Sequence, residues 1–273
     1  MTESFRALCS DFYVNQKLSV KLDLPRGREA MLDLFERVRR TYPSMGSFRR
    51  YKDELALESK QTEAPHRWLA IRPSNVRSGV VNPSAGEDAY GLHRHVLELA
   101  PFFLSISPLD VEYLELLYGF DFAARGNQDL LVAHALLEGT PLEKLFEDGS
   151  TGPNNLVPLD FQPMLGFVLP DSEPEPPAPG AEGETQVVSG TEVHMEVKTR
   201  TGSGSGSDTE ARAGTEPISI YLTLRRYEPV DDLKELPAAL DRLAAAGQQL
   251  IENRVIPYLV RPIREAIGSS DFE

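Results

Sequence analysis

Leu109–Phe122, LDVEYLELLYGFDF, is the stretch on which the fold turns. Leu109, Val111 and Tyr113 fall on one side of it, and Leu114, Leu116, Tyr118 and Phe120 on the other. Alternation with period two is the mark of a strand, because successive side chains point to opposite faces of a sheet. The change of phase at Tyr113–Leu114 predicts a bulge, or a central strand covered on both sides. The stretch is therefore expected inside a sheet, with neighbours on both of its edges.

Upstream, Lys17–Leu24 alternates Leu18, Val20, Leu22 and Leu24 against Ser19, Lys21 and Asp23, which predicts a half-buried strand after a short lead-in over 1–14. Residues 28–42 change rhythm: Met31, Leu34, Phe35, Val38 and Tyr42 recur at helical spacing, and Pro43 stops the run. Phe48–Ser59 reads as one strand and His66–Arg72 as its partner, with Val76–Val81 continuing past Pro73. Residues 88–104 place Leu92, Val96, Leu99, Phe102 and Phe103 on one helical stripe that Pro101 bends or ends. Strand, helix, strand, strand, helix, strand is the split βαβ order. The predicted fold class is α+β, with a ferredoxin-like βαββαβ first half whose antiparallel sheet carries both helices on one face.

Downstream, 127–146 is helical but interrupted at Gly139-Thr140-Pro141. Phe161–Leu169, Gln186–Thr199 and Ile218–Tyr227 predict a three-stranded antiparallel extension, and Asp231–Ile267 a long C-terminal helix, with Pro257 and Pro262 breaking or kinking its end. Residues 1–125 form the first half and 126–273 the second, packed as one unit. Two inserts, DSEPEPPAPGAEGE at 171–184 and GSGSGSDTEARAGTE at 202–216, lack apolar anchors and read as mobile loops.

The 273-residue chain carries 28 Lys/Arg against 42 Asp/Glu, a formal charge of −14. Residues 1–80 hold 15 basic and 10 acidic side chains, whereas 81–190 hold 3 and 18. The average field repels nucleic acid and anionic membranes, but the basic first third suits an anionic partner or the acidic body itself. Cys9 is the single cysteine, which excludes an intramolecular disulfide and a thiolate zinc site. The start has no secretory pattern and no apolar run reaches membrane-spanning length, so the expected location is the cytoplasm, without membrane contact.

Motifs with chemical potential are few. His93 and His95 would share a face on a strand but diverge on the predicted helix. Glu192, His194 and Glu196 alternate along one strand face and form the single acid/base-like group, or simply a solvated polar face. The Gly-x-Ser-x-Gly in GSGSGS lacks the strand-to-helix turn of a nucleophile elbow and the Lys-Ser/Thr of a phosphate loop. Asp110, Glu112, Glu115 and Asp121 divide between two faces and cannot converge on one metal. No catalytic residue, metal or cofactor is implied. The nucleic-acid-binding candidates are Arg37, Arg40, Arg49, Arg50, Lys52, Arg67 and Arg72, joined by Arg39 and Arg77 and interleaved with Tyr51 and Trp68. The self-association candidates are Leu233, Leu236, Leu240, Leu243 and Leu250, a near-heptad stripe that would serve a homodimer or pack on its own sheet.

Val20–Leu24 with the helix ending at Tyr42-Pro43, the run VEYLELLYGFDFAARGNQDLL (111–131), and LTLRRYE (222–228) followed by AALDRLAAAGQQLIEN resemble a sporadically distributed family of uncharacterised bacterial proteins of about this length. Members often carry Asn-Arg after the tyrosine of the long strand, where this chain has Gly119-Phe120. The resemblance implies a cytoplasmic protein of patchy distribution, like mobile or defence-associated genes, and no activity. The expected function is non-enzymatic, through contact with a protein partner. RNA or nucleotide binding through the basic first third is the alternative, and an enzyme whose site is dispersed in sequence is a third reading.

Overall fold

Nine segments with a two-residue burial rhythm join into one antiparallel sheet in the computed structural model, which describes residues 5–25, 27–145, 160–171, 190–199, 216–227 and 230–270. The strands are β1 (Asp11–Val20), β2 (Ser47–Arg50), β3 (Leu55–Glu58), β4 (His66–Arg72), β5 (Asn75–Val81), β6 (Val111–Phe122), β7 (Met164–Pro170), β8 (Gly190–Lys198) and β9 (Ile218–Arg226). Their order across the sheet is β2-β3-β4-β5-β1-β6-β9-β8-β7. Residues 111–122 of that stretch lie inside the sheet, with β6 held between β1 and β9. Its phase change coincides with a register shift at Ser19/Val20, where Glu112 is the extra residue of a bulge. Leu109 belongs to a short 3₁₀ turn before the strand and is exposed.

Among the described residues, the α-helices of ten or more residues that accompany the sheet are α1 (Arg28–Thr41), α2 (Gly86–Phe103), α3 (Gln128–Leu137), α4 (Leu236–Leu250) and α5 (Arg261–Ser270). Leu18, Leu116, Tyr118, Phe120, Leu222 and Leu224 are buried on the side that meets α1, α2 and α4. The helices contribute Leu34, Val38, Leu92, Val96, Leu240 and Leu243 to the same core. Fully burying such a side chain contributes roughly 1.5–3 kcal/mol, and this shared layer holds the sheet flat side to helices. Two polar bonds fasten it further. Tyr90 and Tyr118 meet hydroxyl to hydroxyl at 2.8 Å, and Arg94 of α2 donates to Asp241 of α4 at 2.7 Å.

Several boundaries differ from the sequence expectation. β1 begins at Asp11, not Lys17, because Phe12, Val14, Gln16 and Leu18 share one buried face although Gln16 is polar. Residues 48–59 form two strands, not one: Tyr51 donates its N–H to the Glu54 carbonyl and the chain reverses. Pro73 likewise sits in a reversal, so β5 pairs back on β4 in place of extending it. Pro101 is carried inside the last turn of α2. Pro257 does not end the final helix. Residues 251–260 widen into a π-helical turn that spans it, and α5 continues beyond. β7, β8 and β9 join the same sheet through β6, giving one α+β body with a large antiparallel sheet and a long C-terminal helix. The insert at 202–216 lies outside the described residues but for Glu216, and that at 171–184 but for Asp171. Among the described residues no helix is long and apolar enough to cross a membrane.

Phe120 is fully buried, 5.0 Å ring to ring from Phe12 and 6.3 Å from Phe5. Phe120→Ala should lower the unfolding free energy by about 3–5 kcal/mol in urea titration. Leu109→Ala should change it by less than about 0.5 kcal/mol.

Candidate functional site

The basic candidates do not share a face. Arg37 and Arg40 belong to α1, where Arg40 is exposed and reaches Glu36 at 3.6 Å. Arg49 and Arg50 alternate to opposite sides of β2. Arg67 lies on the helix side of β4, largely buried, 3.6 Å from Asp88 and over the Tyr42 ring. Arg72 donates to Glu54 at 2.5 Å. Arg50, Lys52 and Arg72 nevertheless converge, together with Arg28 of α1, on a cavity of about 440 Å³. Its floor is apolar, with Leu24, Met31, Leu55 and Ile71, and half-exposed Phe48 and Tyr51 stand at its lip. Asp53 and Glu54 also line it. Among the described residues Arg28, Arg50 and Lys52 make no ion pair.

The sheet side away from α1, α2 and α4 is an aromatic and polar lattice that sequence reading missed. Gly79 and Gly119 leave room there that a Cβ would fill: the Trp68 and Tyr13 rings lie directly over them. Arg77 sits 5.5 Å from the Trp68 ring centre. Lys17 donates to the Tyr113 hydroxyl at 2.5 Å, and Arg225 lies 4.8 Å from the Tyr113 ring centre while donating to Glu115. Burial and the neighbouring Tyr221 and Asp121 hold the Tyr13 hydroxyl protonated well above its ordinary range. These cations are engaged by rings and carboxylates, so this lattice offers no row of unpaired charge for phosphates. The carboxylates of the same region have separate duties. Asp110 accepts from the Leu22 N–H, Glu112 from Ser19, Glu115 from Arg225, and Asp121 from Tyr13 and Ser219.

The histidines separate as helical spacing predicts. His95 meets the Tyr42 ring edge-on. His93 is buried against the sheet, its Nδ1 2.8 Å from the Ser78 hydroxyl, which also lies 3.0 Å from Oε1 of the buried Gln16. A glutamine at the centre of the Val14–Leu18 apolar rhythm was the available signal for this trio. Glu192 and His194 stand on the β8 surface at 3.7 Å, their side chains 42% and 38% exposed, with Glu196 bonded instead to Lys198. Among the described residues no group of three or more His, Cys, Asp or Glu is placed to hold a metal ion.

The leucine stripe turns inward. Leu236, Leu240 and Leu243 are buried in the core, and Leu233 and Leu250 pack partly against it. Among the described residues, the longest unbroken run of exposed apolar side chains lies instead on β7, beside single exposed residues such as Phe102 and Leu109. All seven residues of MLGFVLP are exposed, on both faces of the strand, and none is charged. The opposite edge of the sheet, β2, is four residues long and carries Arg49 and Arg50. No protein-family model matches the chain, and no curated protein is similar to it.

Burial drives His93 down from 6.5 to about 3; the Val14 backbone works the other way and the Arg94 charge adds to the lowering. Between those values the unfolded chain binds the extra proton and the native one does not, so stability present above pH 6.5 is lost as pH falls toward 3. Urea midpoints measured across that window should fall less steeply in His93→Gln than in the native chain. Equal slopes would show that His93 does not carry this dependence.

Proposed function

We propose that the protein acts without chemistry of its own, through contact with another polypeptide, and that the contact surface is the β7 edge. The carrying observation is the exposure of Met164, Leu165, Phe167, Val168 and Leu169 along one uncharged edge strand. An open edge offers backbone N–H and C=O groups at strand spacing, and apolar side chains on both faces clamp what pairs with it. The occupant that fits is an extended, uncharged strand running antiparallel to β7, since every other neighbouring pair in the sheet is antiparallel. A photo-crosslinking residue in place of Phe167, compared in living cells with one at exposed Leu109, should trap a polypeptide at 167 alone. Equal yields at the two positions would remove this reading.

A second reading is supported by the cleft beside α1. Arg28, Arg50 and Lys52 stand over an apolar floor with Phe48 and Tyr51 at the lip. That combination suits a ligand with a flat apolar body and an anionic end, of which a nucleotide or the end of a single-stranded RNA is the natural case. Fluorescent nucleotide and RNA oligomer should bind more tightly at low salt than at high salt, and Arg50→Ala with Lys52→Ala should weaken binding at least tenfold. Absence of binding at low salt would dismiss it. The finer architectural reading, a ferredoxin-like half with a three-stranded extension, is supported by the neighbour order β4-β5-β1-β6 within the larger sheet.

A further inference from the structure

Resting on the β7 reading above, we infer that the strand occupying this edge is β7 of a second copy, so that two nine-stranded sheets continue into one across a two-fold axis at Gly166.

The backbone sets the register. The Val197 N–H donates to the Pro163 carbonyl at 3.0 Å, and the pairing Met164↔Glu196 places Pro163 opposite Val197. In an antiparallel ladder a residue's N–H and C=O point to the same side and the side alternates along the strand. Residues 163, 165, 167 and 169 therefore face β8, and 164, 166, 168 and 170 face outward. Pro170 has no N–H, so the outward donors of β7 are Met164, Gly166 and Val168. Pairing two copies about Gly166 sets Gly166 against itself and Met164 against Val168. All three donors of each copy then meet a carbonyl of the other, six bonds in all by this geometry. Pro170 falls outside that run and closes it.

The side chains agree with this register. On one face Leu165 lies across from Phe167 of the second copy, and on the other Met164 lies across from Val168. These are apolar pairs that strengthen strand association. Gly166 at the centre puts no side chain between them. Charge permits it as well: a chain of −14 repels its own copies, but β7 carries no ionisable group, so no like charges are brought directly opposite. The β2 edge is different, because self-pairing there would gather two arginines of each copy along one four-residue seam. The exposed side chains of β7 would remove at most on the order of 500 Å² per copy, below the range of stable specific interfaces and in that of weak, reversible ones.

Sedimentation and light scattering of the purified full chain over a range of concentrations should show the mass of two chains, dissociating in the micromolar range. Phe167→Lys, at an exposed position, should raise the dissociation constant at least tenfold while leaving the thermal transition of the monomer unchanged. The register has its own readout. With Cys9→Ser, Gly166→Cys should form an intermolecular disulfide on mild oxidation, since paired Cα atoms sit about 5.5 Å apart, within disulfide reach. A Cβ at 166 meets the His194 ring at an ordinary 3.7 Å, so this substitution is accommodated. Val168→Cys, facing Met164, should not cross-link. A chain that stays monomeric throughout, or a dimer that Phe167→Lys leaves intact, overturns the proposal. A monomer that still traps a foreign polypeptide at position 167 in cells overturns the second copy as occupant and leaves the edge reading standing. A monomer that traps nothing overturns both.

Discussion

The antiparallel ladder between β1 and β6 is the constraint on which the rest depends. It pairs Asp11–Val20 with Val111–Asp121 over most of the length of both strands, joining residues a hundred positions apart. Through it the N-terminal strands reach β9, and through β9 the last two strands. Because side chains alternate with period two, fixing this one register fixes which residues of both strands face α1, α2 and α4. Phe12 against Phe120 and Leu18 against Leu114 are buried pairs in that register. The aromatic contact of Tyr13 over Gly119 on the opposite side depends on the same alignment. Core and lattice are two readings of one ladder.

Elements with many apolar residues at a clean period were legible in the sequence: the interior strand 111–122, the helix 28–41, the strand 218–226. What was lost was lost for local reasons. Gln16 interrupts the apolar face of β1, so rhythm alone placed the strand start several residues late. The β2–β3 reversal lacks a glycine or proline at its turn, Tyr51–Glu54, and so reads as continuous strand. Pro257 argues for a helix end, yet a wider helical turn accommodates it. Among the site residues, Arg50, Lys52 and Arg72 were visible as basic, but their convergence beside Arg28 needed the folded hairpin. The exposure of β7 was invisible, since an apolar alternation reads alike whether it is covered or not.

The two ends of the sheet are treated differently. At the β2 end, short length and arginines discourage pairing, and a cleft lies beside it whose Arg28, Arg50 and Lys52 make no ion pair among the described residues. At the β7 end the strand is longer, uncharged and bare. Between them the aromatic lattice keeps its cations occupied with its own tyrosines and carboxylates. The bare strand and the cationic cleft thereby lie at the two extremities of the sheet.

The buried Gln16–Ser78–His93 trio has a consequence for conformational uniqueness. Gln16 comes from β1, Ser78 from its neighbour β5 and His93 from the overlying α2. A slip of β5 along β1 by two residues would keep the apolar face inward, so greasy contacts alone would tolerate it. It would, however, part the Ser78 hydroxyl from both Gln16 Oε1 and His93 Nδ1, leaving each without its partner in a core where Gln16 Nε2 and His93 Nε2 already lack one, at a cost of roughly 1–3 kcal/mol per group. The trio thus works as a tumbler lock: it adds little to the depth of the native well, but it makes the neighbouring alignments unusable.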